Sequence, residues 1–262
     1  MKKVFLTIGI AIVSIAIIIT GVLFIKGKTY KVQNPIATIQ IEGYEKSIKI
    51  ELDPQSAPNT VANFIKLANS GFYTNFKMSI EENRLLGDES MQMARLSNIM
   101  EYPQNDYVYG IKGDFIANGY DKNLIKHKKG VITMERDDYS YFGYKEEGYN
   151  SANCNFCILT QDIDNYNGYY AGFGNVVEGM DVLDAIAATR VEVSEDNKDS
   201  NDETKKDDSV NTITIASITV DTFGVDYGVP EVVNYEENIE KVNKIYNQYF
   251  GGSSNGSLTV EE

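Results

Sequence analysis

The sequence predicts a mainly β domain preceded by an N-terminal transmembrane helix. Three observations predict it. An uncharged apolar run over residues 4–25 is long enough to span a bilayer. Beyond it, residues 37–41, 47–52 and 213–220 alternate apolar and polar side chains, the period of half-buried strands. In the same stretch only residues 58–70 and 179–188 carry apolar residues at helical spacing.

The apolar run comes first. A helix rises about 1.5 Å per residue, so 22 residues cover a hydrocarbon core of about 30 Å. Signal-peptide apolar regions are shorter, about 7–15 residues, and end in a small-x-small cleavage site. This run ends Gly-Val-Leu-Phe-Ile-Lys, a poor site of that kind. Residues 1–30 therefore read as an uncleaved signal-anchor, with a cleaved signal peptide and a buried core helix as the alternatives. Lys2 and Lys3 precede the run, and Lys26, Lys28 and Lys31 follow it, so the positive-inside rule is nearly balanced. A short N-terminus before a large acidic domain favours a single-pass protein of the cell membrane with its domain outside the cytoplasm.

Residues 31–34 read as a stalk. The strands over 37–41 and 47–52 are separated by Glu42-Gly43-Tyr44-Glu45, whose glycine suits a hairpin turn. Pro58 sits where a first helical turn tolerates proline, Val61, Phe64, Ile65 and Ala68 recur on one face, and Gly71 ends the run. Met180, Leu183, Ile186 and Ala187 mark the second helix. Residues 195–209 hold seven acids and three lysines among Asn, Ser and Thr, and read as a solvated insertion. A cation-binding tract is the alternative there, although no calcium-loop pattern is present. The tail, 225–262, contains a possible amphipathic helix over 236–250 and then a Gly/Ser-rich end.

The net charge is −14, which argues against a nucleic-acid binder. Two cysteines and one histidine cannot build a disulfide scaffold or a multi-histidine metal centre. Cys154-Asn155-Phe156-Cys157 falls on a predicted strand, where positions i and i+3 face opposite sides, so two core or pocket residues fit better than a redox pair. The Tyr-rich stretch from Tyr139 to Tyr170 reads either as a surface loop or as stacking faces for a proline-rich ligand.

Several stretches then read together: Ala57-Pro58-Asn59-Thr60-Val61-Ala62-Asn63-Phe64, Leu67-Ala68-Asn69-Ser70-Gly71-Phe72-Tyr73, His127-Lys128-Lys129-Gly130-Val131-Ile132-Thr133-Met134, and Phe173-Gly174-Asn175-Val176-Val177-Glu178-Gly179-Met180-Asp181. In order and spacing they resemble the cyclophilin-type peptidyl-prolyl isomerases over residues 35–224, interrupted by the acidic insertion. The resemblance implies a closed eight-stranded antiparallel β-barrel capped by two helices, with the substrate groove on its outer surface. It also implies isomerisation of X–Pro bonds, proline-containing polypeptides as partners, and no metal or cofactor. His127 matches a scaffold position of the family.

The family's catalytic Arg, in a Phe-His-Arg-Val-Ile stretch, aligns with Met78 of Phe76-Lys77-Met78-Ser79-Ile80, and a thioether donates no hydrogen bond. The remaining groove positions align with Asn83, Arg84, Leu86, Glu135, Arg136, Asn155, Cys157, Tyr166 and Tyr170, so the predicted groove is Phe76, Met78, Asn83, Leu86, Glu135, Asn155, Cys157, Tyr166 and Tyr170. Arg84 and Arg136 are the candidates for a relocated guanidinium, or else surface arginines beside acids. Lys77 is a poorer candidate, because neighbouring strand residues point to opposite faces. Two functions remain open: an isomerase of extracytoplasmic proteins, with activity weakened at Met78, or a non-catalytic module that binds proline peptides.

Overall fold

A computed structural model describes residues 33–87, 110–138, 140, 143, 145–191 and 211–233. The predicted transmembrane segment, the acidic insertion over 195–209 and the possible tail helix over 236–250 lie outside the described residues. Among those described, no helix is long and apolar enough to cross a membrane.

Eight antiparallel strands close into a barrel. In chain order they are β1 (Ile36–Ile41), β2 (Ile48–Leu52), β3 (Phe76–Ile80), β4 (Arg84–Gly87), β6 (Val131–Met134), β7 (Phe156–Leu159), β8 (Ala171–Glu178) and β9 (Thr212–Asp221). Around the barrel the order is β1-β2-β8-β6-β7-β4-β3-β9. The predicted hairpin is present, with Ala37 opposite Ile50 and Ile39 opposite Ile48. Alternation explains the inner wall: Ala37, Ile39 and Ile41 of β1 and Ile48, Ile50 and Leu52 of β2 are all buried. Closure leaves no barrel strand with an unpaired edge. Two short strands, β5 (Gly110–Ile111) and β10 (Val232–Val233), pair outside the barrel. The tail's first residues are thus docked on the domain, a placement that no periodic pattern in the sequence foretold.

Helix α1 (Pro58–Asn69) buries Val61, Phe64, Leu67 and Ala68 in the barrel core. It starts at proline and has no side-chain cap of its own. The buried Asp114 supplies one instead, accepting from Thr60 N–H at 2.8 Å. The Phe64 ring lies 5.5 Å from Tyr73, 5.5 Å from Phe156 and 5.2 Å from Phe173, so one helical residue joins four elements of the core. A one-turn helix, α2 (Lys145–Tyr149), follows β6, and α3 (Met180–Ala188) buries Val182, Leu183 and Ile186. Gly179 starts α3 at φ +85°, and a Cβ there would meet Ser47 O at 2.5 Å, so both the turn and the close approach require glycine.

Two core contacts aim the outer surface of the barrel. The Asn63 carboxamide donates to Asn153 O, and Tyr73 O–H donates to Cys154 O at 2.8 Å. Both bonds satisfy backbone acceptors in the loop that leads into β7, and so fix where that strand starts.

Candidate functional site

Alternation on β3 sorts the predicted site residues first. Phe76 and Met78 are 0% and 1% exposed and belong to the barrel core, with Ile80. The predicted groove is corrected here: neither side chain reaches the outer surface, because the apolar residues of β3 recur with period two and turn inward together. Lys77 and Ser79 take the outward positions, and Ser79 stands opposite Leu86. The alignment that places an arginine at Met78 therefore leads into the barrel.

The outer face of β4, β6 and β7 holds a second apolar cluster. Val131, Cys157, Leu159 and Ile163 are buried in it, and Leu86, Ile125 and Tyr166 pack against it. Leu86 and Cys157 are cross-strand partners, as are Cys157 and Thr133. Next to this cluster is a surface cleft of about 370 Å³ lined by Glu81, Glu82, Asn83, Arg84, Ile163, Asn165 and Tyr166. The β3–β4 turn forms one wall, anchored where Thr160 N–H donates to Asn83 O at 2.9 Å. A 3-10 helix, Asp164–Tyr166, forms the other.

Arg84 is the hub. Its Nε donates to Glu81 at 2.7 Å, its Nη1 reaches Glu135 at 3.4 Å, and Nη1 also donates to the Tyr166 hydroxyl. Burial opposes the Arg84 charge, but Glu135, Glu81 and Tyr166 outweigh it and hold the guanidinium protonated. Glu135 is half-buried, and that desolvation raises its carboxyl above the ordinary range even though Cys157 and Arg84 work the other way. The Cys157 thiol is held well above its ordinary value by burial and by the neighbouring Glu135 carboxylate, so it stays protonated. Burial, then Glu135, likewise raises Tyr166. Tyr166 stacks on Tyr170 with centroids 4.1 Å apart.

Arg136 points into a different environment. Its guanidinium lies 4.4 Å from the Tyr170 centroid and 4.7 Å from that of Tyr149. Its Nε donates to Tyr169 O at 3.0 Å and its Nη1 to Asp137 O at 2.8 Å. It braces an aromatic wall rather than the cleft. Asn155 is buried beside Gly87, where a Cβ would collide with its Oδ1.

The structure thus joins Asn83, Arg84, Leu86, Glu135, Cys157, Tyr166 and Tyr170 on one outer surface. Sequence reasoning missed Glu81 and Ile163. Only Glu81 carried a local signal, an opposite charge three residues before Arg84. Cys154 and Cys157 are free thiols, with Cys154 in the barrel core and Cys157 in the outer cluster. Cys154 precedes β7 rather than lying on it. No group of three or more metal-ligating side chains occurs among the described residues.

His127 supports the wall from behind. It is fully buried, its Nδ1–H donates to Asn167 Oδ1 at 3.4 Å, and Thr133 O–H donates to its Nε2 at 3.1 Å. Burial lowers its pKa to about 4. The unfolded chain titrates near 6.5, so it takes up the proton first as pH falls. The stability contributed by neutral His127 is complete above about pH 6.5 and is lost as pH falls toward about 4, by roughly 3 kcal/mol in all. Urea unfolding at pH 7 and pH 4.5 is expected to show this loss, and His127→Gln to remove most of it.

A family model described as cyclophilin type peptidyl-prolyl cis-trans isomerase/CLD matches residues 36–220. The chain is 27% identical over 146 residues to peptidyl-prolyl cis-trans isomerase A of Dickeya dadantii, which covers 56% of this chain and 68% of that protein. It is 25% identical over 166 residues to a peptidyl-prolyl cis-trans isomerase of Streptomyces antibioticus, 63% of this chain and 91% of that one. Among solved structures, a cyclophilin type peptidyl-prolyl cis-trans isomerase of Cryptosporidium parvum superposes with a TM-score of 0.49 at 18% identity, covering 71% of this chain and 96% of that one.

Proposed function

Because the chain belongs to the cyclophilin-type peptidyl-prolyl cis-trans isomerase family, we propose that it accelerates rotation about X–Pro bonds at the cleft beside Arg84. The observation that carries this reading is the protonated Arg84 guanidinium fixed at the edge of an apolar surface formed by Leu86, Ile163 and Tyr166.

The chemistry asks for little else. Amide rotation faces a barrier of about 18–20 kcal/mol because the nitrogen lone pair is shared with the carbonyl. X–Pro bonds populate both isomers but exchange over tens to hundreds of seconds. An apolar wall takes the pyrrolidine ring, and a fixed donor favours the twisted amide, whose lone pair has returned to nitrogen, over the planar one. Arg84 supplies that donor from β4, replacing the guanidinium that the resemblance expects on β3.

Partners under this reading are proline-containing polypeptides. The uncharged run over 4–25, flanked by lysines, supports a single-pass anchor in the cell membrane with the domain extracytoplasmic, where it assists the folding of exported proteins. Protease added to intact cells then digests the domain, whereas complete protection would place it inside.

A protease-coupled assay on the full-length chain with a proline-containing peptide tests the catalytic reading. Acceleration proportional to protein concentration is expected, and none at high concentration would end it. The second reading, a module that binds proline peptides without catalysis, is favoured by the inward turn of Met78 and by the two carboxylates already on Arg84. It predicts saturable peptide binding with no rate effect.

A further inference from the structure

Arg84 and Glu81 already neutralise each other at the cleft edge, with Nε and carboxylate 2.7 Å apart. A second carboxylate, Glu135, is nevertheless largely withdrawn from solvent on the same guanidinium, with 15% of its side chain exposed, and that desolvation costs free energy that a fully exposed pair does not. Its position is not incidental. Glu135 N–H donates to Asn155 O at 3.0 Å, which fixes the backbone immediately after β6. Cys157, on the neighbouring strand and opposite Thr133, lies beside the carboxylate in the outer cluster. Glu81 engages the Nε corner of the guanidinium, while Glu135 and Tyr166 engage Nη1. Two of the three nitrogens are thereby held, and Nη2 is the corner with no hydrogen bond to another described residue. A planar cation gripped at two corners has its plane and its third corner set.

We propose that Glu135, seated on Cys157, is a positioning residue that fixes the Arg84 guanidinium for the X–Pro bond. The inference rests on the isomerase reading above. It assigns a role to Glu135, just after β6, and to Cys157 on β7, both of which act on substrate only through Arg84 on β4.

The groups facing Glu135 are Arg84 and Glu81 from β4 and its turn, Cys157 from β7, Tyr166 and Tyr170 from the 3-10 wall, and Arg136 beside it in sequence. Of these, only the carboxylates change charge in mild acid. Protonating Glu135 removes its charge and leaves Nη1 with a neutral acceptor beside Tyr166, so the wild-type kcat should fall modestly, within about threefold, at a pH above the ordinary carboxylate range. Glu135→Gln keeps an acceptor for Nη1 and for the thiol but cannot titrate. It should retain kcat within about threefold and lose that acid limb. Glu135→Ala should lower kcat about tenfold or more with little change in KM. Cys157→Ala should fall in the same direction and Cys157→Ser should recover, since serine restores the donor.

A second readout does not depend on activity. With 15N-labelled arginine in the full-length chain, the Arg84 Nη1 and Nη2 resonances should be separate in the wild type and in Glu135→Gln, because rotation about the Nε–Cζ bond is hindered. They should merge in Glu135→Ala. Separate Arg84 resonances in Glu135→Ala, or wild-type kcat and acid limb in both Glu135 variants, overturn the positioning role. A wild type with ordered Arg84 resonances and no isomerase activity instead overturns the isomerase reading and, with it, the catalytic purpose assigned to that order.

Discussion

Arg84→Lys is expected to lower kcat/KM for X–Pro isomerisation by about 100-fold, the loss typical of removing one preorganised donor at a transition state. Lysine keeps the charge but presents a point donor on a flexible stem, and cannot satisfy Glu81 and Glu135 from a single plane. The effect should fall mainly on kcat, because the apolar wall of Leu86, Ile163 and Tyr166 is unchanged. Arg84→Ala adds a stability cost, since it leaves the buried Glu135 carboxylate without its cation. The double variant Arg84→Met with Glu135→Gln removes both charges and should recover much of the stability while staying inactive. Coupled-assay kinetics together with urea midpoints separate the two effects. Wild-type turnover in Arg84→Lys would move the donor role away from Arg84.

The second large effect concerns the core. Phe64→Ala should destabilise the domain by about 3–5 kcal/mol, the range for deleting a buried aromatic side chain. The Phe64 ring is fully buried and meets Tyr73 at the end of the α1 turn, Phe156 on β7 and Phe173 on β8. Those partners are held by α1 and a closed barrel, so the site cannot collapse to fill the void. The same change loosens Tyr73, whose hydroxyl fixes the loop entering β7, and with it the outer wall at Cys157. Chemical unfolding measures the stability loss. A cost under 1 kcal/mol would mean that α1 does not tie the barrel together as described.

Much of the fold was legible in the sequence because its signals are local. The alternation over residues 37–41 and 47–52 gave the first hairpin, and the spacing of Val61, Phe64 and Ala68 after Pro58 gave α1, which ends at Asn69. The strand expected over 213–220 runs from Thr212 to Asp221. The pairing of β5 with β10 was not legible, since two residues carry no period and their partners lie far apart in the chain.

The site was legible only in part. Arg84 and Arg136 stood out equally as arginines near a groove, and nothing in the sequence separates a cation gripped by two carboxylates from one resting on tyrosine rings. Phe76 and Met78 were assigned to the groove by alignment, although their own apolar alternation with Ile80 points inward. The chain by itself determined which residues alternate, where the helices start, and the family to which the pattern belongs, because periodicity and propensity act between near neighbours. Only the tertiary structure decided that Arg84, Glu135 and Cys157 meet. Barrel closure and strand register bring together residues of β4, β7 and the end of β6 that no local interaction relates.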